Sequence, residues 1–443
     1  MKEKLTVTGI GSDLQGVGRL SDGRAVFIPE SIPGETIEAI ITRDRGRFCE
    51  ANLCSILEPS GDRQKPFCPH FGNCGGCQGQ HIRYERTLVL KRQIVRDALS
   101  RIGNIPEPKV YPAIGCPDPL RTRNKAEYPF ACQGNRIVIG THAGNSAQVI
   151  PVADCMMQNE ASVLALNVIN NHLQHASWAR HLKYLVTRVN RAGDLMIILC
   201  AHAPVHAELN ALSPVLFREL PALRSLWMCQ LSPRPSHALD GRCTKLSGWD
   251  TLPESLMGLN YTISPQSFFQ VNTSQMETLY TEALNAAGLY TGVRQNVLDA
   301  YCGIGTISLS AARLGHRVTG VEIVAPAIEN AKENARNNGL ADSTRFLCDD
   351  AARAIPRLLS RGVSFDVAIL DPPRKGADKA LLSALAQACI PTIVYVSCNP
   401  ATLARDVKTL SSNGYAYQYA QPVDMFPWTG HVETVVLMSR AKG

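Results

Sequence analysis

The stretch 296–322 constrains the fold more than any other part of this chain. It opens with a short apolar run, 296–301, that predicts a buried strand, and a turn with Gly303 and Gly305 follows. Because glycine has no Cβ, the backbone of that turn can come close to a ligand. From Thr306 the apolar residues take a helical spacing, which predicts a helix directly after the turn.

A second strand is predicted over 317–321, and it ends at Glu322. A carboxylate about 20 residues beyond a strand–turn–helix unit is placed to bind a ribose at the carboxyl edge of a parallel sheet. The turn lacks the third glycine of a dinucleotide site, so a pyrophosphate is not the expected ligand. The pattern D-x-x-C-G-x-G followed by V-x-G-V-E resembles the S-adenosylmethionine loop of Rossmann-like methyltransferases. A nucleoside site of another kind remains the alternative.

Length and composition favour a soluble protein of several domains. A chain of 443 residues predicts two or three domains, and a hydrophobic content of 45% is enough to build their cores. No segment approaches the run of about 18 apolar residues that spans a bilayer. The amino terminus lacks a basic-then-apolar export signal, so we expect a cytoplasmic protein without a membrane segment, and a monomer.

Basic residues are clustered. The net charge is +7, and arginine and lysine concentrate in residues 43–47, 83–101 and 121–125. Such clusters favour a polyanion as partner, and RNA fits that description. Solvated faces of helices and turns are the alternative for each cluster.

Residues 1–58 consist of short strand-like pieces separated by Gly, Asp and Pro turns. This spacing predicts a small five-stranded β-barrel similar to the OB fold, a type that commonly binds nucleic acid on one face. The segment also resembles the TRAM RNA-binding module in its G-x-G-R-L, F-I-P and P-G-E sequences.

Three of the fifteen cysteines lie within ten residues, with the spacing C-x5-C-x2-C: Cys68, Cys74 and Cys77. Disulfides are rare in the cytosol, so a metal site is the first interpretation. Four thiolates suit zinc or an iron–sulfur cluster, and the spacing does not decide between them. Cys155 is the best candidate for the fourth ligand, with Cys116 and Cys132 as rivals.

From residue 261 the chain alternates regularly between strands and helices, which predicts an open α/β sheet. Four predicted strands end near polar residues: Tyr301, Glu322, Asp350 and Asp371. The carboxyl ends of such strands border the crevice where ligands bind. Asp349 could replace Asp350 in this role, and the register favours Asp350.

Cys398 follows a predicted strand in this α/β region, and a helix is predicted to begin near Thr402. A thiol near a helix N-terminus has a lowered pKa and is a better nucleophile. Addition of a thiolate to carbon 6 of uracil would make carbon 5 reactive towards a methyl donor, and a base must then remove the carbon 5 proton. Glu433 is a carboxylate available for that step. A buried structural cysteine and a surface glutamate are the alternatives.

Four motifs together resemble the RNA uracil-5-methyltransferase family: DPPRKG, VYVSCNPATLARD, DMFPWTGHVE and SPQSFFQVN. The resemblance covers nearly the whole chain and implies that Cys398 is the nucleophile and Glu433 the base. It also implies donor-binding or site-lining positions at Gln270, Tyr301, Thr306, Glu322, Asp350 and Asp371. It places Cys68, Cys74, Cys77 and Cys155 on the ligands of a [4Fe–4S] cluster. The loop reads GIGT where asparagine usually follows the second glycine, which makes the role of Thr306 less secure.

The resemblance implies a multidomain α/β protein with three domains. These are a TRAM-like barrel (1–60), a central α+β domain with the cluster loop (61–260) and a Rossmann-like, S-adenosylmethionine-dependent methyltransferase domain (261–443). A TRAM module combined with the cysteine cluster is typical of the branch that acts on 23S ribosomal RNA. Methylation of a tRNA T-loop uridine is the alternative within the enzyme class. A non-catalytic, RNA-binding iron–sulfur protein is the alternative outside it.

Overall fold

The computed structural model describes residues 2–440. The first part of the described chain contains β1 (Lys2–Thr6), β2 (Gly9–Ile10), β3 (Gly16–Arg19), β4 (Ala25–Ile28), β5 (Thr36–Asp44), β6 (Phe48–Glu58), α1 (Tyr84–Arg101), β7 (Lys125–Gln133), β8 (Arg136–His142) and β9 (Val149–Pro151). Next come α2 (Glu160–Leu173), β10 (Leu182–Val189), β11 (Leu195–Ala201), α3 (His206–Glu219), β12 (Leu223–Leu231), β13 (Gly241–Gly248), β14 (Leu252–Leu256), β15 (Leu259–Ile263) and α4 (Thr273–Ala286).

The last part contains β16 (Asn296–Ala300), α5 (Thr306–Arg313), β17 (Arg317–Glu322), α6 (Ala325–Asn337), β18 (Thr344–Cys348), α7 (Ala351–Ser360), β19 (Val367–Leu370), α8 (Lys379–Gln387), β20 (Thr392–Ser397), α9 (Pro400–Ser411), β21 (Tyr415–Val423) and β22 (Glu433–Arg440). Short 3-10 helices lie at Ser177–His181 and Ala341–Ser343. The predicted α/β alternation after residue 261 is confirmed, and the predicted strands and helices there agree with the structure to within a few residues.

The described residues form two compact units that interleave along the chain. The first unit comprises residues 2–117, 281–291 and 352–440, and the second comprises 118–280 and 292–351. The boundaries predicted near residues 60 and 260 remain predictions.

The first unit begins with the predicted barrel. Its strands are ordered β1-β5-β6-β4-β3-β2. The Val7 N–H donates to the Glu35 carbonyl at 2.9 Å, and the Thr8 N–H donates to the Val17 carbonyl at 2.9 Å. The chain thus passes from one sheet edge to the other between β1 and β2 and closes the barrel. The structure therefore has six strands where the sequence predicted five, because the hydrogen-bond partner of the chain changes between Val7 and Thr8.

Helix α1 follows the cysteine loop in the first unit. It buries an apolar face that includes Leu90, Ile94, Val95 and Leu99. Lys91 belongs to the basic stretch 83–101, yet it is fully buried. Its ammonium group forms an ion pair with Asp424, whose side chain is also inaccessible to solvent.

The carboxyl-terminal strands of the first unit are ordered β19-β20-β22-β21. Strands β19 and β20 are parallel, whereas β22 is antiparallel to both β20 and β21. The strands β19 and β20 are apolar and buried along most of their length. Continuous apolar strands of this kind are typical of a sheet covered on both faces.

The second unit contains a seven-stranded sheet with the order β13-β12-β11-β10-β7-β8-β9. One face packs on α2 and α3 through a large apolar cluster that includes Leu166, Leu199, Leu216 and Met228. The second unit also holds three parallel strands, ordered β18-β17-β16, which carry the glycine turn. Within residues 2–440 no helix is long and apolar enough to cross a membrane.

Candidate active site

Three polar side chains of the first unit lie at the ends of strands, on the side of its carboxyl-terminal sheet where β19 and β20 end and β22 begins. Asp371 follows β19 and Cys398 follows the parallel strand β20. Glu433 opens β22, and the antiparallel register pairs Ser397 with Thr434. Extension of that register by one residue places Cys398 across from Glu433. The fold therefore brings together the predicted nucleophile, the predicted base and Asp371.

The pKa of the Cys398 thiol differs from the prediction. Burial, followed by the negative charge of Glu433, raises this pKa to about 11. The sequence predicted a lowered pKa because of the nearby helix N-terminus, and that prediction is wrong. The Asn399 side chain explains the difference, because its oxygen accepts hydrogen bonds from the Ala401 and Thr402 N–H groups at 3.0 and 3.5 Å. The N–H groups at the start of α9 therefore donate to the Asn399 side chain and not to the Cys398 thiol.

Glu433 is buried, with only 3% of its surface exposed. Its Oε2 atom has no hydrogen-bond partner among the described residues. Burial and the charge of Asp371 raise the pKa of the Glu433 carboxyl to about 8. A buried carboxyl with an unsatisfied oxygen destabilises the folded protein. Groups of this kind are common at functional sites, where they interact with a substrate.

The charges that act on Glu433 come from Asp371 and from Arg374, and the sequence analysis assigned no role to Arg374 or to its neighbour His431. Burial raises the pKa of Asp371 to about 7. Arg374 lowers the pKa of both Cys398 and Glu433, so its guanidinium acts on both groups. An Nη atom of Arg374 lies 3.5 Å from Nε2 of His431. Arg374 lies in the motif DPPRKG, and His431 lies in the motif DMFPWTGHVE. Their position in these motifs is the sequence signal that could have identified them as site residues.

The glycine turn lies in the second unit and has an unusual backbone. Tyr301, Gly303 and Gly305 have φ angles of +68°, +54° and +85°. A Cβ on Gly305 would lie 3.1 Å from the Phe346 ring, whereas a Cβ on Gly303 would meet nothing within 4 Å. Gly305 therefore serves close packing under the turn, and Gly303 faces open space where a ligand fits.

The Glu322 carboxylate holds this turn from the end of β17. It accepts hydrogen bonds from the Gly303 N–H at 3.2 Å and from the Val324 N–H at 2.9 Å. The next two side chains, Ile323 and Val324, are 65% and 52% exposed. Glu322 thus fixes the turn beside an exposed apolar pair.

The other predicted donor positions of the second unit are more enclosed. Gln270 and Thr306 are 6% and 7% exposed. The Thr306 hydroxyl lies 3.2 Å from the Tyr280 hydroxyl, so it bonds within the protein. The Asp349 carboxylate accepts a hydrogen bond from the Asp350 N–H at 2.8 Å. The structure therefore engages the Asp349 side chain in a local turn directly before Asp350.

Comparisons with known proteins identify the family of this chain. The family model for tRNA (uracil-5-)-methyltransferases matches residues 250–441, and the TRAM domain matches residues 3–54. An uncharacterized RNA methyltransferase of Halalkalibacterium halodurans is 37% identical over 98% of this chain and 96% of that protein. An uncharacterized RNA methyltransferase of Clostridium tetani is 36% identical over 98% of this chain and 95% of its own length.

The chain belongs to the RNA uracil-5-methyltransferase family.

One solved structure matches this methyltransferase along almost its entire length. It is the Pyrococcus abyssi tRNA (uracil-54, C5)-methyltransferase in complex with S-adenosyl-L-homocysteine. The TM-score is 0.75 with 25% identity, and the match covers 98% of this chain and 99% of the other. The predicted TRAM module and the predicted carboxyl-terminal methyltransferase fold are thus confirmed.

S-adenosylmethionine is the methyl donor of this family, and the second unit has features that fit it. The open space at Gly303 suits a ligand close to the backbone. Glu322 lies at the end of the second strand, where a carboxylate binds a ribose in such folds. The exposed pair Ile323 and Val324 offers an apolar surface beside it. These observations fit a nucleoside with an apolar base face.

The cysteine loop of this methyltransferase lies in the first unit. Cys68, Cys74 and Cys77 form no disulfide within residues 2–440, and all three are of intermediate exposure. The Gly76 N–H donates to Sγ of Cys74 at 3.4 Å, and the Cys68 N–H donates to the Gln80 side chain at 3.2 Å. Amide donors directed at sulfur are favourable around thiolates that bind metals.

Cys155 lies in the second unit, where Arg121 organises its segment. The Arg121 guanidinium donates to the Cys155 carbonyl at 2.8 Å and forms an ion pair with Asp154 at 2.7 Å. Within residues 2–440 no group of three or more His, Cys, Asp or Glu side chains is arranged to hold a metal ion. The structure thus does not show the predicted cluster site, which stays a prediction.

Proposed function

We propose that this enzyme transfers a methyl group from S-adenosylmethionine to carbon 5 of a specific uridine in 23S ribosomal RNA. The observation that carries the proposal is the pairing of Cys398 with Glu433 at one sheet edge, with Glu433 buried and its Oε2 unsatisfied. A nucleophile and a base at this spacing are what methylation of an unreactive ring carbon needs. Methylation at carbon 5 of uracil therefore accounts for the presence of both Cys398 and Glu433 at this site.

The Cys398 thiol would lose its proton to solvent, and the thiolate would add to carbon 6 of the uracil, which gives an enolate whose carbon 5 is nucleophilic. S-adenosylmethionine supplies the methyl group to that carbon. Glu433 would then accept the carbon 5 proton, so that the bond between sulfur and carbon 6 breaks and the thiolate leaves. A pKa of about 8 suits Glu433 for this step, because a base is most effective when its pKa is near the working pH.

Arg374 would help the first step. At pH 7 the Cys398 thiol is protonated, since its pKa is about 11. The positive charge of Arg374 stabilises the thiolate against the carboxylates of Glu433 and Asp371. The uridine must also leave its base stack to reach the sulfur, as for other enzymes that act on a base.

The donor contacts are part of the proposal. We propose that six residues bind the methyl donor or line its site: Gln270, Tyr301, Thr306, Glu322, Asp350 and Asp371. The buried hydroxyl of Thr306 bonds to Tyr280, so its side chain is the weakest of these assignments. The division into a barrel (1–60), a central domain (61–260) and a methyltransferase domain (261–443) is proposed on the same resemblance.

Ribosomal RNA and transfer RNA are the two candidate substrates. The combination of a TRAM module with the cysteine loop supports 23S ribosomal RNA. The similarity to a Pyrococcus abyssi enzyme that acts on tRNA supports the T-loop uridine of transfer RNA. Both present a uridine in a folded loop, so the chemistry at Cys398 is the same for either.

The deciding experiment maps 5-methyluridine in ribosomal and transfer RNA from a deletion strain and its parent. Loss of one 5-methyluridine from 23S RNA, restored by the wild-type gene but not by Cys398→Ala, is the expected result. Loss confined to tRNA would establish the alternative substrate. Unchanged 5-methyluridine in both RNAs would contradict the proposed function.

The four cysteines Cys68, Cys74, Cys77 and Cys155 are proposed as ligands of a [4Fe–4S] cluster that stabilises the fold. The close spacing of Cys68, Cys74 and Cys77 and the Gly76 amide directed at Cys74 support a metal site. Protein purified without oxygen should be brown, with about four irons per chain. Cys77→Ser should lose the iron and cost stability, because a structural metal contributes folding free energy directly. Purified protein that contains one zinc and no iron per chain would show that the four cysteines bind zinc and not an iron–sulfur cluster.

A further inference from the structure

Three cysteines lie side by side on adjacent strands of the central sheet in the second unit. Cys200 on β11 pairs in register with Cys229 on β12, and Cys229 pairs in register with Cys243 on β13. Register partners project to the same face of a sheet. The register therefore places the three thiol side chains in one row across the three strands.

The row lies on the sheet face opposite the apolar helices. Leu199 and Met228, the neighbours of Cys200 and Cys229 along the strands, belong to the cluster that packs on α2 and α3. Because side chains alternate between faces, the cysteines face the other way. Arg188 on β10 is on this second face as well, because its register partner Met196 lies on the same side of β11 as Cys200.

This second face is covered by the segment that carries a proposed donor residue. The buried Arg188 guanidinium donates to the Pro265 carbonyl at 3.2 Å and to the Ser267 carbonyl at 2.5 Å. The Gln266 side chain donates to the carbonyls of Leu239 and Gly241, both at 3.0 Å. Gly241 is the first residue of β13, two positions before Cys243, so the segment is attached to the strand that carries the cysteine.

We propose that Cys229 and Cys243 form a reversible cross-strand disulfide, and that its formation loosens the segment 264–272. Directly paired residues of an antiparallel sheet have Cα atoms about 4.5–5.5 Å apart, within the range that a disulfide spans. A disulfide requires Cβ atoms about 3.8 Å apart, which is closer than most cross-strand pairs. Strand β13 must therefore move towards β12 when the bond forms.

The movement has little room near the start of β13. A Cβ on Gly241 would lie 2.1 Å from the Gln230 carbonyl, so the two strands are already in close contact there. A shift of β13 therefore displaces the Gly241 carbonyl and strains its bond to Gln266. The bond between the Gly241 carbonyl and the Gln266 side chain is thus the anchor of the segment that the disulfide affects directly.

The chemistry starts at the accessible sulfur. Cys243 is partly exposed, whereas Cys200 and Cys229 are fully buried. Hydrogen peroxide, the oxidant, converts the Cys243 thiol to a sulfenic acid and is reduced to water. The Cys229 thiol then displaces a second water and forms the S–S bond. A dithiol such as dithiothreitol reverses the step by thiol–disulfide exchange, and the dithiol becomes the oxidised partner.

The test uses the full-length protein before and after a controlled exposure to hydrogen peroxide. Peptide mapping without reductant should find Cys229 linked to Cys243, and hydrogen–deuterium exchange in residues 264–272 should become faster. Dithiothreitol should restore both. Cys243→Ser should abolish the link and the exchange response. Cys132→Ser, which replaces an exposed cysteine on β7 of the same sheet, should keep both.

The consequence for the donor rests on the proposed function. The affinity for S-adenosylhomocysteine should fall about tenfold on oxidation, roughly what the loss of one hydrogen bond causes, and the fall should be absent in Cys243→Ser. Absence of the Cys229–Cys243 peptide, or its presence with unchanged exchange, would overturn the inference. Failure of the reduced protein to bind S-adenosylhomocysteine would contradict the proposed function instead, since the peptide map and the exchange data do not depend on the donor.

Discussion

At the scale of single residues, the proposed site is a set of groups whose charges oppose one another. Burial and two carboxylates raise the pKa of Cys398, and Arg374 lowers it. The same arginine lowers the pKa of Glu433, which burial and Asp371 raise. Perturbed groups of this kind cluster at functional sites because the chemistry needs proton transfer near neutral pH. The Cys398 thiol is therefore protonated at neutral pH, whereas a pKa of about 8 lets the Glu433 carboxyl exchange a proton near neutral pH.

The roles of Cys398 and Glu433 can be separated by the covalent intermediate. Cys398→Ala should abolish methylation and any RNA–protein adduct, because the sulfur forms the bond. In Glu433→Gln, the Cys398 sulfur should still add to carbon 6 and the methyl group should still be transferred. The carbon 5 proton should then remain, because the base is missing. Methylated RNA should then accumulate on the protein, visible as a slower band on a denaturing gel.

RNA that contains 5-fluorouridine should trap the wild-type enzyme in the same way, because fluorine cannot leave as a cation. Cys389→Ala, which replaces an exposed cysteine of the same unit, is the matched control and should behave as wild type. Normal turnover of Glu433→Gln without an adduct would show that another group is the base.

The pKa of the Cys398 thiol gives a second prediction. In the free enzyme its alkylation by iodoacetamide should increase with pH and reach half of its limiting rate near pH 11. Glu433 is ionised at that pH, since its own pKa is about 8, so Glu433→Gln removes a negative charge and should shift the profile to lower pH. Arg374→Met should shift it to higher pH.

Glu85→Gln, which replaces an exposed carboxylate on α1, should leave the alkylation profile unchanged. A profile that does not respond to Glu433→Gln would mean that the carboxylate does not act on the thiol in solution.

At the scale of elements, the segment 424–432 decides where Glu433 lies. Its first residue, Asp424, accepts hydrogen bonds from Lys91 at 2.5 Å and from the Tyr84 hydroxyl at 2.7 Å. The carbonyl of Trp428 accepts the N–H groups of Gln78 and Gly79 at 2.9 and 2.8 Å. Helix α1 and the cysteine loop thus hold the segment that leads into the proposed base.

Removal of the buried cation should be costly. Lys91→Met leaves Asp424 buried with the Tyr84 hydroxyl and without its counter-charge, so we expect a loss of about 3–5 kcal/mol in the free energy of unfolding. Methylation should slow as well, because Glu433 follows the same segment. Urea unfolding followed by circular dichroism measures the first effect. Arg96→Met, on the exposed side of α1, should cost less than about 0.5 kcal/mol. Similar losses for the two variants would show that the ion pair is not stabilising.

At the scale of the whole molecule, the barrel has a contact that changes how its RNA role must be tested. A Cβ on Gly430 would lie 2.4 Å from the Ser12 carbonyl, so a barrel loop packs directly on the segment that precedes Glu433. Deletion of residues 1–58 would therefore disturb the proposed base as well as RNA binding. Charge removal on an intact barrel is the cleaner experiment.

The triple variant Arg43→Gln, Arg45→Gln and Arg47→Gln should weaken RNA binding and flatten its salt dependence. These residues are exposed on the barrel, although Arg43 and Arg45 also form ion pairs with Glu50. If all three contact phosphates, the slope of log K against log salt should fall by about 2–3 units. Donor affinity should not change.

Filter binding across a salt series measures that slope. The matched control is the triple variant Arg353→Gln, Arg357→Gln and Arg361→Gln, which removes three exposed charges outside the barrel. An equal change of slope in both triple variants would mean that the effect reflects net charge and that the barrel is not the RNA-binding module.

The sequence by itself determined the order of elements, the barrel and the strand ends that carry Cys398, Glu322 and Asp371. These follow from local patterns, because apolar periodicity and glycine turns report on neighbouring residues. The family motifs added the proposed nucleophile and the proposed base, but not the environment of either side chain.

Only the tertiary structure decided that the pKa of Cys398 is raised, that Lys91 is buried against Asp424 and that three distant cysteines form one row. Each depends on residues far apart in sequence: Glu433 beside Cys398, Asp424 beside Lys91, and Cys243 beside Cys229. Burial and charge act through space, and a pattern along the chain carries no information about which distant group will remove water from a side chain.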